Sequence, residues 1–289
     1  MVRWRGAAAA LLLLTLTGCG PDASAARPAG VPVITQADED LLARAEQIML
    51  RDCMARRGFR YQVLPEHPVP DYRQFPYVID DPAWAARNGF GTALKRRLAK
   101  LSAASPNKAY FRQLPRERRV TALAAANGPV PEGLSATAPS GITAHRSDEG
   151  CTSELERELY GDLQRWFEIS TVTRELPPMW RQRVAADPSF RQAQARWARC
   201  LRAAGYPYDT PAELHAALAG DRPGPARSEI PAASAEAACA ASSGFGATAR
   251  ELDGRHAAAV RARYRKEVED KARIQHAALP KARDVVRGG

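Results

Sequence analysis

The chain has 289 residues, of which 26% are charged, with a formal net charge of +10 and five cysteines. That length suits one large domain or two small ones. Its arginines are spread among Glu and Asp, as on solvated helix surfaces, and no nucleic-acid motif occurs, so nucleic acid is excluded as an expected partner.

The chain opens with Arg3 and Arg5, then an apolar run from Ala7 to Leu16 that is too short to span a bilayer. Leu16-Thr17-Gly18-Cys19 follows. This stretch resembles the lipobox of bacterial lipoproteins. The resemblance implies that residues 1–18 are a lipoprotein signal peptide and that Cys19 carries a thioether-linked lipid as the new N-terminus. The expected location is the extracytoplasmic face of the cell membrane, with the membrane itself as a partner through the lipid on Cys19. Two acyl chains anchor stably where one is marginal. Residues 19–34 are rich in Gly, Pro and Ala and read as a flexible tether. No later segment is apolar enough to span.

Thr35-Gln36-Ala37-Asp38 has the form of a capping box, and Leu41, Ala45, Ile48 and Met49 recur at helical spacing. Gly58 stands where a helix takes a left-handed end residue. Residues 62–92 are irregular and aromatic, with Phe75, Tyr77, Trp84 and Phe90 among prolines; they are expected to pack on helices. Residues 93–103 and 116–126 read as short helices, and the Pro- and Gly-rich stretch 128–141 as a surface loop. Residues 152–176 read as one strong helix with Leu155, Leu159, Leu163, Trp166 and Phe167 on its core side, broken by Pro177-Pro178.

Asp187-Pro188 caps the next helix, whose stripe is Phe190, Ala193, Trp197 and Leu201, and Gly205 ends it. Thr210-Pro211-Ala212-Glu213 opens another helix to about Leu218, followed by a loop over 220–231. From Ser234 two helical pieces flank Gly244-Phe245-Gly246. The second, about Thr248 to Ala278, is charged with a thin apolar stripe, as in a solvated helix lying along the body.

With Cys19 lipidated, Cys53, Cys151, Cys200 and Cys239 remain. An even count in an oxidising compartment argues for two disulfides. Three connectivities are open; the simplest joins each helix end to the next cysteine, Cys53–Cys151 and Cys200–Cys239. Cys53 and Cys200 each begin the pattern C-[ML]-x-x-x-G-[FY]-x-Y, at Cys53-Met54 to Gly58-Phe59-Arg60-Tyr61 and at Cys200-Leu201 to Gly205-Tyr206-Pro207-Tyr208. With Trp197 before Cys200, Asn107-Lys108-Ala109-Tyr110 and Gly150-Cys151, this pattern resembles a family of lipoproteins and secreted proteins of high-GC Gram-positive bacteria. The first copy departs from it, with Leu50 where the family has tryptophan. The resemblance implies no particular activity.

Chemistry-bearing motifs are few. His67, His145, His215, His256 and His276 form no metal-binding pair, and the cysteines lack zinc spacing, so no metal site and no cofactor are expected. No nucleophile elbow occurs, and Glu154, Glu156 and Glu158 read as solvated helix residues; no catalytic residue is assigned. The expected fold is mainly α, an irregular multi-helix assembly with two disulfides and little or no sheet. One helical domain covers 35–279, which the echo allows to be divided into pseudo-repeat halves 35–165 and 175–279, with a tail at 280–289. The expected function is a lipid-anchored, non-enzymatic binding or scaffolding module. Its charge and location admit an anionic cell-wall polymer or another envelope protein as partner. The alternative is a cell-wall-modifying enzyme with a carboxylate active site.

Overall fold

The computed structural model describes residues 30–218 and 229–289; residues 1–18, Cys19, most of the tether and much of the 220–231 loop lie outside them. Among the described residues are twelve helices and one two-stranded sheet, a mainly α architecture. None of these helices is long and apolar enough to cross a membrane.

The first helix, α1 (Gln36–Arg56), begins at its capping box. Thr35 Oγ1 accepts from the Asp38 N–H at 3.2 Å, and the Asp38 carboxylate accepts from the Thr35 N–H at 3.0 Å. Donors left open by the first turn are thereby satisfied. Its apolar side, with Leu42, Ala45 and Met49, packs against α6 (Gly150–Tyr160) and α12 (Arg265–Gly288). Of residues 280–289, expected as a tail, 280–288 form the end of α12. Val285 and Val286 join the α1 cluster, and Arg51 Nη1 donates to the Gly289 carbonyl at 3.4 Å.

A second core forms where α8 (Pro188–Ala203) meets α10 (Ile230–Ser242) and α11 (Phe245–Arg263). Trp197, Leu201, Phe245 and Leu252 are fully buried there, and the Phe190 and Phe245 rings meet edge-on at 5.0 Å. Asp187 caps α8 by accepting from the Ser189 N–H at 2.8 Å. The charged C-terminal segment is not one helix from Thr248 to Ala278: it divides at Tyr264 into α11 and α12. Buried Ala257 and Val260 of α11 pack on Leu176 and Trp180.

The aromatic segment 62–92 packs on this second core and holds a short helix, α2 (Pro82–Asn88), capped by Asp81. Ile79 and Trp84 lie against Ala233 and Ala237 of α10. Glu236 of α10, fully buried, accepts from the Ile79 N–H at 2.9 Å and meets His215 Nε2 at 2.7 Å. The short helices α3 (Thr92–Ala103), α4 (Pro106–Gln113), α5 (Arg116–Asn127) and α9 (Pro211–Leu218) complete the helical set. Asn107 at the start of α4 pairs with both backbone groups of Gln62 at 2.8 Å.

The two copies of the cysteine pattern end their helices alike. Gly58 (φ +77°) and Gly205 (φ +91°) are left-handed. The Phe59 and Tyr206 N–H groups reach back to the Met54 and Leu201 carbonyls at 2.9 and 3.0 Å, and the glycine N–H groups to Ala55 and Arg202, each at 3.0 Å. This double closure returns the chain so that the following aromatic packs on its own last turn. Cys53 is bonded to Cys151 and Cys200 to Cys239, with Cα separations of 5.7 and 5.6 Å.

Three local expectations are corrected. First, the 128–141 stretch is no surface loop: it holds β1 (Gly133–Thr137), which pairs antiparallel with β2 (Thr143–Ser147). Leu134, Ala136 and Ala138 alternate inward, a strand period that prolines and glycines flanking the strand obscure. Second, the 152–176 helix is two. α6 stops at Gly161, and the Asp162 side chain caps α7 (Leu163–Ala186), accepting from the Arg165 N–H at 2.9 Å. Third, Pro177-Pro178 does not break α7. Two intrahelical hydrogen bonds are forfeited there. Continuity is favoured because Trp166, Ile169 and Leu176 before the prolines and Trp180 and Val184 after them are all buried. Packing of both halves outweighs the local cost.

Candidate functional site

Cys19 lies outside the described residues, and the other four cysteines are bonded in pairs. The histidines are dispersed: His67 meets Asp40 at 3.0 Å, His215 meets Glu236, and His256 meets Asp187 at 3.3 Å. Among the described residues no three His, Cys, Asp or Glu side chains gather closely enough to hold a metal ion. Of the three glutamates of α6, Glu154 pairs with Arg56 and Arg57, and Glu158 with Lys281 at 2.9 Å. Glu156 departs from the expected solvated role. Its side chain is only 16% exposed, and it lines a cavity.

That cavity, about 390 Å³, is lined from five elements. α1 contributes Glu46, β2 Arg146, α6 Glu156, and α12 Lys271, while α7 contributes Trp166, Phe167, Ser170 and Arg174. Both corrected elements are needed to build it. β1 packs along α7, which brings Arg146 of the paired strand over Phe167, with the guanidinium 5.0 Å from the ring centroid. The restart of α7 at Asp162 directs its face toward α6 and α12.

Arg146 forks onto Glu156, Nη1 donating to Oε1 at 3.0 Å and Nη2 to Oε2. A bidentate pair of this kind fixes both side chains. Glu46 sits in the opposite environment. Burial pushes its carboxyl above the usual range and the nearby Glu156 charge adds to this, although the Tyr160 hydroxyl that donates to it works the other way. Burial likewise pushes the Tyr160 phenol up, and its ring stacks on Trp166 at 3.8 Å between centroids. Burial pushes the Lys271 ammonium down, and the Arg174 charge pushes it further.

Two polar atoms of the lining residues, Arg146 Nε and Ser170 Oγ, are buried with no hydrogen-bond partner among the described residues. Each such group costs about 1–3 kcal/mol when left unpaired. Chemically, the cavity offers hydrogen-bond donors, cations, an aromatic wall, and two carboxyl groups whose surroundings differ.

Of the cavity residues, only Trp166, Phe167 and Glu156 are visible in the helix periodicity, and Glu156 is misread there. A signal for Glu46 exists: it stands four residues after Leu42, on the stripe that α1 buries. A charged residue in a core-facing position is informative because burying it is costly. Lys271 is similar, three residues after Val268 and seven before Ala278.

Comparison with protein-family models, curated proteins and solved structures found no match.

Proposed function

We propose that the protein is a lipid-anchored module of the cell envelope that binds a ligand in the cavity between α1, β2, α6, α7 and α12. The observation carrying this reading is the convergence of charged side chains from five elements, together with the buried Arg146 Nε and Ser170 Oγ, which lack partners among the described residues. A purely structural core would close such a space with apolar side chains, since unsatisfied polar groups destabilise a fold. The lipobox at Cys19, the resemblance to exported Gram-positive lipoproteins and the two disulfides all fit an extracytoplasmic setting.

Two measurements test the reading. Wild-type protein is expected to incorporate labelled palmitate and sediment with membranes, and Cys19→Ser to do neither; equal sedimentation of the two overturns the anchor. A photo-crosslinking residue at position 167 is expected to capture a ligand in living cells, while one at exposed position 112, which does not line the cavity, does not. Equal yields overturn the binding site.

A second reading rests on the carboxyl pair. Glu46, favoured in its protonated form by burial, and Glu156, held by Arg146, share one cavity, as an acid and its partner base do in hydrolases of wall polymers. Polymer cleavage that is lost in both Glu46→Gln and Glu156→Gln supports it; cleavage unaffected by either excludes it.

A further inference from the structure

Within the cavity, the cations outnumber their partners. Glu156 occupies Arg146, but neither Lys271 nor Arg174 makes an ion pair among the described residues. Arg174 is near enough to oppose the Lys271 charge, while Glu39 and Glu46 attract that charge without contacting it. We propose that the cavity receives the oxyanion of a small acidic ligand, a carboxylate or phosphate group, between Arg174 and Lys271; this rests on the reading of the cavity as a binding site.

Four observations converge on that class. An anion between the two cations replaces their repulsion with two attractions, and in a partly desolvated site these exceed their value in water. Hydrogen bonds from charged donors to an oxyanion are the strong kind, and a guanidinium suits a planar carboxylate or a phosphate face. The Ser170 hydroxyl, without a partner among the described residues, stands one turn before Arg174 on α7 and adds a neutral donor. Glu46, which no cation contacts among the described residues, is shifted toward its neutral form by burial and so opposes the incoming charge less than an ordinary carboxylate would. The volume of about 390 Å³ limits the occupant to a small molecule and excludes a folded chain.

Calorimetric titration of the detergent-solubilised full chain decides the matter, with inorganic phosphate, glucuronate and glucose as probes. Saturable binding is expected for phosphate or glucuronate and not for glucose; which acid binds separates a phosphate source from a carboxylate source. Lys271→Met and Arg174→Gln are each expected to weaken that binding tenfold or more. Arg174 is exposed, so its variant keeps the test valid if Lys271→Met unfolds. Binding of glucose as strong as that of glucuronate, unchanged in both variants, overturns the anion assignment and leaves the binding site standing. No saturation by either acid also overturns it, while crosslinking from position 167 reports separately on the site.

Discussion

The hydroxyl of Tyr160 donates to the carboxyl of Glu46 across the contact between α6 and α1, while its ring stacks on Trp166 of α7. One side chain thus ties three helices together at the cavity edge. It also holds a glutamate that burial disfavours as an anion.

Glu46 therefore imposes a pH dependence. Its folded value is raised above the ordinary 4.5, so its contribution to stability is complete below that pH and is lost as pH rises through the folded value. Lys271, lowered from 10.5 by burial, has the opposite pH dependence: stability lost to the buried ammonium is regained as pH rises from its folded value toward 10.5. Glu46→Gln is expected to gain stability relative to wild type between about pH 4 and pH 8. Thermal melts across that range check it, and a constant difference would count against the buried anion.

The Arg146–Glu156 pair should be strongly coupled. Arg146→Met leaves a largely buried carboxylate without its cation and is expected to cost about 1–3 kcal/mol. Adding Glu156→Gln should recover part of that loss. A double-mutant cycle by urea denaturation is expected to give a coupling of about 1 kcal/mol or more; additive losses would mean that the fork contributes nothing.

The two glycine-terminated helix ends should respond equally. An added Cβ at Gly205 meets no atom within 4 Å, and at Gly58 only the tip of Arg118, at 4.0 Å. The cost of alanine at either site is therefore conformational, about 1 kcal/mol for a left-handed residue. Gly58→Ala and Gly205→Ala are expected to shift the denaturation midpoint by similar amounts. A large difference between them would break the equivalence of the two copies.

The disulfides should differ slightly. Cys53–Cys151 closes a separation of 98 residues and Cys200–Cys239 one of 39. Under the loop-entropy account these stabilise by about 5 and about 4 kcal/mol. Replacing each pair by serines and measuring unfolding in urea should show the larger loss for the first pair.

How much of this was legible in the sequence follows from range. The Thr35–Asp38 box, the Asp187-Pro188 start and the glycine ends at 58 and 205 depend on residues within one turn of each other, and each is found where its local pattern places it. The hairpin was hidden because a short strand with prolines and glycines around it resembles a loop until a partner strand and α7 are present to bury Leu134 and Ala136. The passage of α7 through Pro177-Pro178 was hidden because the proline cost is local and the compensating burial is not.

The helical class, the caps, the cysteine echo and the expectation of a lipid at Cys19 are readable residue by residue, because each is a property of a short stretch of chain. The cavity exists only once the helices have packed. Glu46, Arg146, Glu156, Arg174 and Lys271 come from five elements spread over most of the described chain. Their charges acquire meaning through mutual distance and loss of water, and neither exists until the helices pack.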